Sequence, residues 1–292
     1  MSKHIRFDWA MKRLLRNKAN FDVLEGFLSE LLQQDLTISE ILESESNKEE
    51  EADKSNRVDI LVKNRDGELM YIEVQNEREN DYFHRMNYGQ AKLTTQYIDA
   101  GEDYDRIKKV YSINIVYFDL GQGDDYIYKG QTEFRGLHKN DTLQLIPVQK
   151  KTYPVDKVSD IFTTYYVLKV NQFDDVAKNS LDEWIYFLKN SEIKDEFKAK
   201  GLPEAKEKLR VDNLSQAEKE AYDRYLKIKR IRENELKTAL HDGEYKAEQK
   251  YVPLIEKERK EKEEERREKE EAAKRAEVER REREEAQQKI IE

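Results

Sequence analysis

Asp59, Glu73 and Gln75 are the residues of this chain best arranged to do chemistry. Residues 57–62 read Arg-Val-Asp-Ile-Leu-Val, and residues 69–75 read Leu-Met-Tyr-Ile-Glu-Val-Gln. Each is an apolar, strand-like run interrupted by one carboxylate. Asp and Glu are poor strand formers and costly between apolar neighbours. Carboxylates set there bind a hard cation or do acid–base work. Gln75 follows Glu73 by two residues, so on a strand both side chains point the same way. The connection Lys63-Asn64-Arg65-Asp66-Gly67-Glu68 contains Asp-Gly, a strong short-turn signal. A hairpin closed around residues 64–68 brings Asp59 opposite Glu73, with Cβ atoms about 5 Å apart. One divalent ion can bridge carboxylates at that spacing, with a backbone carbonyl and waters completing its shell. The alternative is a pair of solvent-facing carboxylates on an exposed hairpin face.

The elements that must hold this hairpin can be read on either side of it. Phe21, Leu24, Phe27, Leu28, Leu31 and Leu32 recur at helical spacing, with Glu25 bordering that face. Residues 36–42 read as a first strand and residues 47–56 as an exposed polar loop. Residues 76–97 read as a helix on which Asp81, Arg85, Tyr88 and Lys92 share a stripe. Residues 110–120 form an apolar, β-branched run suited to a buried strand. Gly121-Gln122-Gly123-Asp124-Asp125 then reads as a hairpin turn into Tyr126-Ile127-Tyr128, since no phosphate-loop pattern follows. The order helix, three strands, helix, strand fits a three-layer α/β core. Further strand-like pieces are Leu143-Gln144-Leu145-Ile146 and residues 165–170. Beyond them the chain turns helical, with capping boxes expected at Ser180-Leu181-Asp182-Glu183 and Ser215-Gln216-Ala217-Glu218. Gly201-Leu202-Pro203 reads as a helix stop and restart. Trp184, Phe187 and Leu188 should pack on the core. The expected organisation is a core with a β extension over residues 1–178, a helical support over 179–240 and a charged helical tail over 241–292.

Composition narrows the function classes. The 292 residues carry 54 Lys+Arg against 63 Asp+Glu, a net charge of −9. That balance argues against a general basic coat for nucleic acid, so any DNA contact must be a local patch reinforced by metal charge. Cysteine is absent, which removes disulfides and thiolate ligands. His4, His84, His138 and His241 are too scattered for a zinc motif. No apolar run approaches membrane-spanning length and the N-terminus lacks a signal-peptide pattern, so no membrane partner and a cytoplasmic location are expected.

The tail differs in kind. Glu256–Lys260, Glu258–Lys262, Glu263–Arg267, Glu265–Lys269, Glu270–Lys274, Glu271–Arg275, Glu277–Arg281 and Glu279–Arg283 are Glu-first i,i+4 pairs, which support an exposed helix. Apolar residues are too few there for a heptad seam. The expectation is a spacer helix or a weak homo-oligomerisation arm, with partial disorder as the alternative.

Taken together, these pieces resemble a known family. Asp59 followed by Glu73-Val74-Gln75 is similar to the Asp…(Asp/Glu)-x-Lys signature of the PD-(D/E)XK nuclease superfamily. The flanking text is similar to its transposase-associated branch, the Rpn-type recombination-promoting nucleases. The flanking pieces are Phe21-Asp22-Val23-Leu24-Glu25-Gly26-Phe27-Leu28-Ser29-Glu30-Leu31-Leu32, Tyr82-Phe83-His84-Arg85-Met86-Asn87-Tyr88-Gly89 and Leu181-Asp182-Glu183-Trp184-Ile185-Tyr186-Phe187-Leu188-Lys189. Val58 stands where the superfamily often has Pro, and Gln75 where many members have Lys. A Lys could polarise the attacking water as a cation, whereas Gln can only hydrogen-bond to it.

The resemblance implies a restriction-endonuclease-like three-layer core with a mixed β-sheet flanked by helices, then a helical C-terminal region and a long charged helix. It implies a Mg²⁺-dependent DNA endonuclease (Mn²⁺ also serving), linked to recombination, mobile elements or phage defence. Asp59, Glu73 and the Val74 carbonyl would hold the metal, and Asp59, Glu73 and Gln75 would form the catalytic set. Some relatives add an acid from the first helix, for which Glu25 is the candidate, and Arg85 and Lys92 would approach the scissile phosphate. The competing reading is a nuclease fold kept for binding, whose charged helical arm recruits partners. A purely structural coiled coil fails on the β-rich first half.

Overall fold

The computed structural model describes residues 4–42, 57–97, 107–152 and 155–291, with the side chains of residues 12, 57–59, 282 and 284–291 left aside. The loop expected over residues 47–56 lies outside the described residues. Two compact units are present, residues 1–219 and residues 220–292.

The first unit is built on a six-stranded mixed sheet. Its strands are β1 (Ile38–Leu42), β2 (Arg57–Asn64), β3 (Leu69–Gln75), β4 (Val110–Val116), β5 (Ile127–Gly130) and β6 (Thr164–Lys169). They lie side by side in the order β1-β2-β3-β4-β6-β5. β1, β2 and β3 are antiparallel neighbours, whereas β3, β4 and β6 run parallel. β5 closes the far edge antiparallel to β6, and a short helix, α4 (Pro147–Thr152), lies in the chain between them. Helix α3 (Tyr82–Gln96) lies in the chain between the parallel pair β3 and β4, the connection that parallel neighbours require.

Alternation along the strands makes two buried faces. On one face Leu61, Leu69, Tyr71 and Val110 meet Leu93 of α3. Further along it, Val116, Leu120 and Val167 meet Tyr82 and Met86 of the same helix. The intervening residues Ile60, Val62, Met70, Ile72, Val74, Ile113, Ile115 and Leu168 are also buried, so the central strands are covered on both sides. Helices α1 (Phe7–Arg13), α2 (Phe21–Leu32) and α5 (Ser180–Asn190) join through an aromatic cluster. Phe7 and Phe27 are 5.5 Å apart, Phe27 and Trp184 5.5 Å, and Trp184 and Phe187 6.0 Å. Trp184, Phe187 and Leu188 thus pack as expected.

Gly26 of α2 and Gly201, at the start of α6 (Leu202–Lys208), meet backbone to backbone, and a Cβ on Gly26 would collide with the Lys200 carbonyl oxygen and Gly201. Gly201 also adopts φ 81°, the left-handed conformation that suits glycine.

Three sequence expectations are corrected. β5 follows the Gly121–Asp125 turn but does not form a hairpin with β4, because β6 takes β4's open edge over six residue pairs. Residues 143–146 form no strand: Leu143 and Ile146 are exposed, since apolar character alone supplies no edge to pair with. The cap of α5 is Asn179, whose side chain accepts from the Asp182 amide, not Ser180. The box at Ser215 does form, with Glu218 accepting from the Ser215 amide at 2.9 Å.

A continuous helix, α7 (Gln216–Ile291), begins in the last residues of the first unit, makes up the described part of the second and contains Pro253. Glu-first ladder pairs form at Glu258–Lys262, Glu263–Arg267, Glu265–Lys269, Glu271–Arg275 and Glu277–Arg281.

Candidate active site

The hairpin register is the one the turn chemistry demands. Asn64 closes the loop, accepting from the Glu68 amide at 2.8 Å through Oδ1, and Gly67 supplies the positive φ. Counting back from this turn, Asp59 pairs with Glu73, and Arg57 with Gln75. β4 continues the rows, with Asn114 beside Glu73 and Val116 beside Gln75. Asp59, Glu73 and Asn114 therefore form one row across the sheet, and directly paired residues share a face. The Asp59 side chain lies outside the described ones.

All seven residues of β3 are buried, Glu73 and Gln75 included. A carboxylate and an amide on a strand covered on both faces need compensation. Glu73 receives it from Arg85 of α3, whose Nη2 donates to Glu73 Oε1. The other arm of the same guanidinium, Nη1, donates to both oxygens of Glu79 at 2.8 Å each. Glu79 Oε1 also accepts from Gln75 Nε2 at 2.9 Å, and the Glu77 carbonyl accepts from that nitrogen at 3.2 Å. Two acceptors fix which end of the Gln75 amide is which. Its Oε1 therefore faces the other way, buried and without a hydrogen-bond partner among the described residues.

Neighbours brace this group. Tyr82 donates to Asn114 Oδ1 at 3.3 Å, and its ring lies 5.8 Å from the Arg85 guanidinium carbon. Asn114 is in turn fixed by Ser112 Oγ at 3.0 Å and the Tyr166 carbonyl at 3.2 Å. The Gln75 carbonyl accepts from the Tyr117 amide at 3.0 Å, which directs the preceding carbonyl, that of Val74, toward β2. Burial raises the Tyr117 phenol well above its ordinary range, in spite of Arg6 stacked on its ring. Asn76 donates to the buried carboxylate of Asp8 at 3.2 Å, tying the end of β3 to α1.

Sequence reasoning brought Asp59, Glu73 and Gln75 to one place but missed two members. Glu79 was hidden in the charge run Glu77-Arg78-Glu79-Asn80-Asp81, which lies before α3 instead of within it. Asn114 was legible as the lone amide in an apolar strand and was passed over. Two expectations change. Arg85 does not face open solvent for a phosphate but is bound to Glu73 and Glu79, because a buried carboxylate draws in the nearest cation. Glu25 accepts from the Ile38 amide at 2.7 Å, so its carboxylate is used to join α2 to β1.

The donor set fits a hard cation. It offers a buried carboxylate, a second acid across the strand pair and a buried amide oxygen that has no hydrogen-bond partner among the described residues, all oxygen ligands. Among the described residues no cluster of three or more His, Cys, Asp or Glu side chains is assembled. No curated protein and no solved structure matches the chain. The family model described as PD-(D/E)XK nuclease family transposase matches residues 5–239, from before α1 through the sheet and into α7. That span contains every residue of the site, and it points to a nuclease-type function linked to transposition. With a restriction-endonuclease-like mixed sheet and this match over most of its length, the chain belongs to the PD-(D/E)XK nuclease family transposases.

Proposed function

We propose that this protein is a divalent-metal-dependent endonuclease that hydrolyses phosphodiester bonds in DNA, in a setting of recombination, mobile elements or phage defence. The observation that carries the reading is the pairing of buried Glu73 with Asp59 beside an uncommitted Gln75 amide oxygen. Asp59, Glu73 and the Val74 carbonyl would hold Mg²⁺ or Mn²⁺. Such an ion, when bound, neutralises charge at the phosphate and acidifies a bound water. Gln75 Oε1 accepts a hydrogen bond from the attacking water and so orients it, its own amide being held from behind by Glu79. The new P–O bond forms in line with the P–O bond that breaks, the attacking water's proton leaves to solvent, and the departing sugar oxygen takes a proton from solvent. Gln75 has no charge to lend, so it positions and does not polarise.

A second reading has its own support. Glu73 is already neutralised by Arg85, and Gln stands in the place where a Lys would polarise water. A nuclease fold used for binding, with the charged helix as a recruiting or self-associating arm, is compatible with both. Plasmid nicking by wild type, Glu73→Ala and Asp59→Ala, with and without Mg²⁺ or Mn²⁺, separates the readings. The nuclease reading expects metal-dependent nicking that both substitutions abolish. Cleavage retained by both variants removes this site from consideration, and a wild type that takes up no metal favours the binding module. Among the described residues no helix is long and apolar enough to cross a membrane.

A further inference from the structure

We infer that Arg85 is the resident counter-cation of this site, and that Glu79 is the carboxylate on which it stays when a divalent ion takes Glu73. This rests on the reading of Glu73 as a metal ligand. The guanidinium is forked between two acids through separate nitrogens, Nη2 to Glu73 and Nη1 to both oxygens of Glu79. Releasing Nη2 from Glu73 leaves the two bonds to Glu79 in place. The acids differ in a way that gives the exchange a direction. The Glu73 side chain is 2% exposed and cannot remain charged without a cation against it. Glu79 is 23% exposed, and water shares in stabilising its charge. A divalent ion on Glu73 replaces the charge that Arg85 supplied and repels the guanidinium at short range. Arg85, Glu79 and Gln75 form one chain of bonds, so the exchange keeps the Gln75 amide in its orientation. Arg85 and Glu79 are thus positioning residues that set the metal affinity of the site.

The test is Mn²⁺ titration of the full chain by calorimetry, with no nucleic acid present. Arg85→Gln should bind Mn²⁺ roughly tenfold more tightly than wild type, within the usual range of coupling between two ligands for one site. Glu79→Gln should bind roughly fivefold more weakly, because Arg85 then loses the carboxylate that holds it when it leaves Glu73. In the double variant the Glu79→Gln effect should largely vanish, since it acts through Arg85. Simple loss of local charge would instead leave the two effects additive, and additive effects overturn the exchange. Unchanged or weaker binding by Arg85→Gln also overturns it. Should Arg85→Gln not fold without metal, Arg85→Lys serves. Its point-like ammonium cannot hold both acids as a fork, so its Mn²⁺ affinity should fall between wild type and the tenfold gain. An affinity at or below wild type refutes the exchange. The underlying reading fails separately, if no Mn²⁺ binding in wild type or variants is removed by Glu73→Gln.

Discussion

A carboxylate paired with a cation does opposite work in the two units of this protein. Glu73 and Arg85 meet between β3 and α3, where the acid is nearly inaccessible. Glu258 and Lys262 meet on α7, where their side chains are 65% and 73% exposed. Between β3 and α3, removing one partner strands a charge that water cannot reach, so the pair determines what the site can bind. Along the tail, removing one partner returns the other to solvent, so the pair only favours helix. Burial sets Glu73, together with Asp8 and Asp182, apart from the many solvent-exposed acids in a chain with 63 acidic residues.

The largest test of this contrast is catalytic. Glu73→Ala should lower metal-dependent nicking by at least roughly 100-fold, as loss of one pre-organised electrostatic contact commonly does. Glu258→Ala should leave nicking unchanged, and the same plasmid assay reads both. Cleavage that fell equally in the two variants would erase the distinction. Next comes stability. Arg85→Ala removes the guanidinium from the buried Glu73 carboxylate and should cost about 3 kcal/mol in denaturant unfolding, the range for breaking a buried pair from one side. The double variant Arg85→Ala with Glu73→Leu should recover much of that loss, because Leu, close to Glu in volume, removes the buried charge that Arg85 had neutralised.

A third test uses pH. Burial, then Lys206 and Arg210, hold the His4 imidazole below its ordinary value, and that ring packs edge-on to Phe187. The folded state therefore binds fewer protons than the unfolded state in the window between the depressed value and about 6.5. Stability from this group is present above pH 6.5 and is lost as pH falls below it. His4→Asn should flatten that part of the stability–pH curve, measured by thermal unfolding from pH 7.5 to 5.

The hairpin could be read before any coordinates because its information is local. Alternation, an Asp-Gly turn and two misplaced acids fix register and face within twenty residues of sequence. The αβββαβ order followed from runs of similar length. The partners of the acids were harder to see. Arg85 was visible only as one of four residues on a helical stripe, and nothing in that spacing states that the helix lies across β3. Glu79 looked like part of the helix, although its role depends on staying in the loop before it. β6 came between β4 and β5 because parallel strands pair across long connections, which periodicity does not encode. The lone Asn114 in an apolar run was the legible signal that went unused. A buried strand does not carry an amide without a network to satisfy it.

The smallest expected effect lies at the other end of the comparison. Lys262→Gln removes the partner of Glu258, whose carboxyl that lysine holds below its ordinary range. Both groups are bathed in solvent, and other ladder pairs along α7 remain. Helicity of the full chain, followed by far-ultraviolet circular dichroism, should fall slightly at low salt. The difference from wild type should disappear near 1 M salt, where the screening length shrinks to about 3 Å. The Arg85→Ala loss should persist at that salt, because a nearly inaccessible Glu73 is screened far less than a solvent-bathed pair. If both effects faded together, the Glu73–Arg85 contact would be behaving as a surface pair, and the case for a privileged carboxylate on β3 would fall with it.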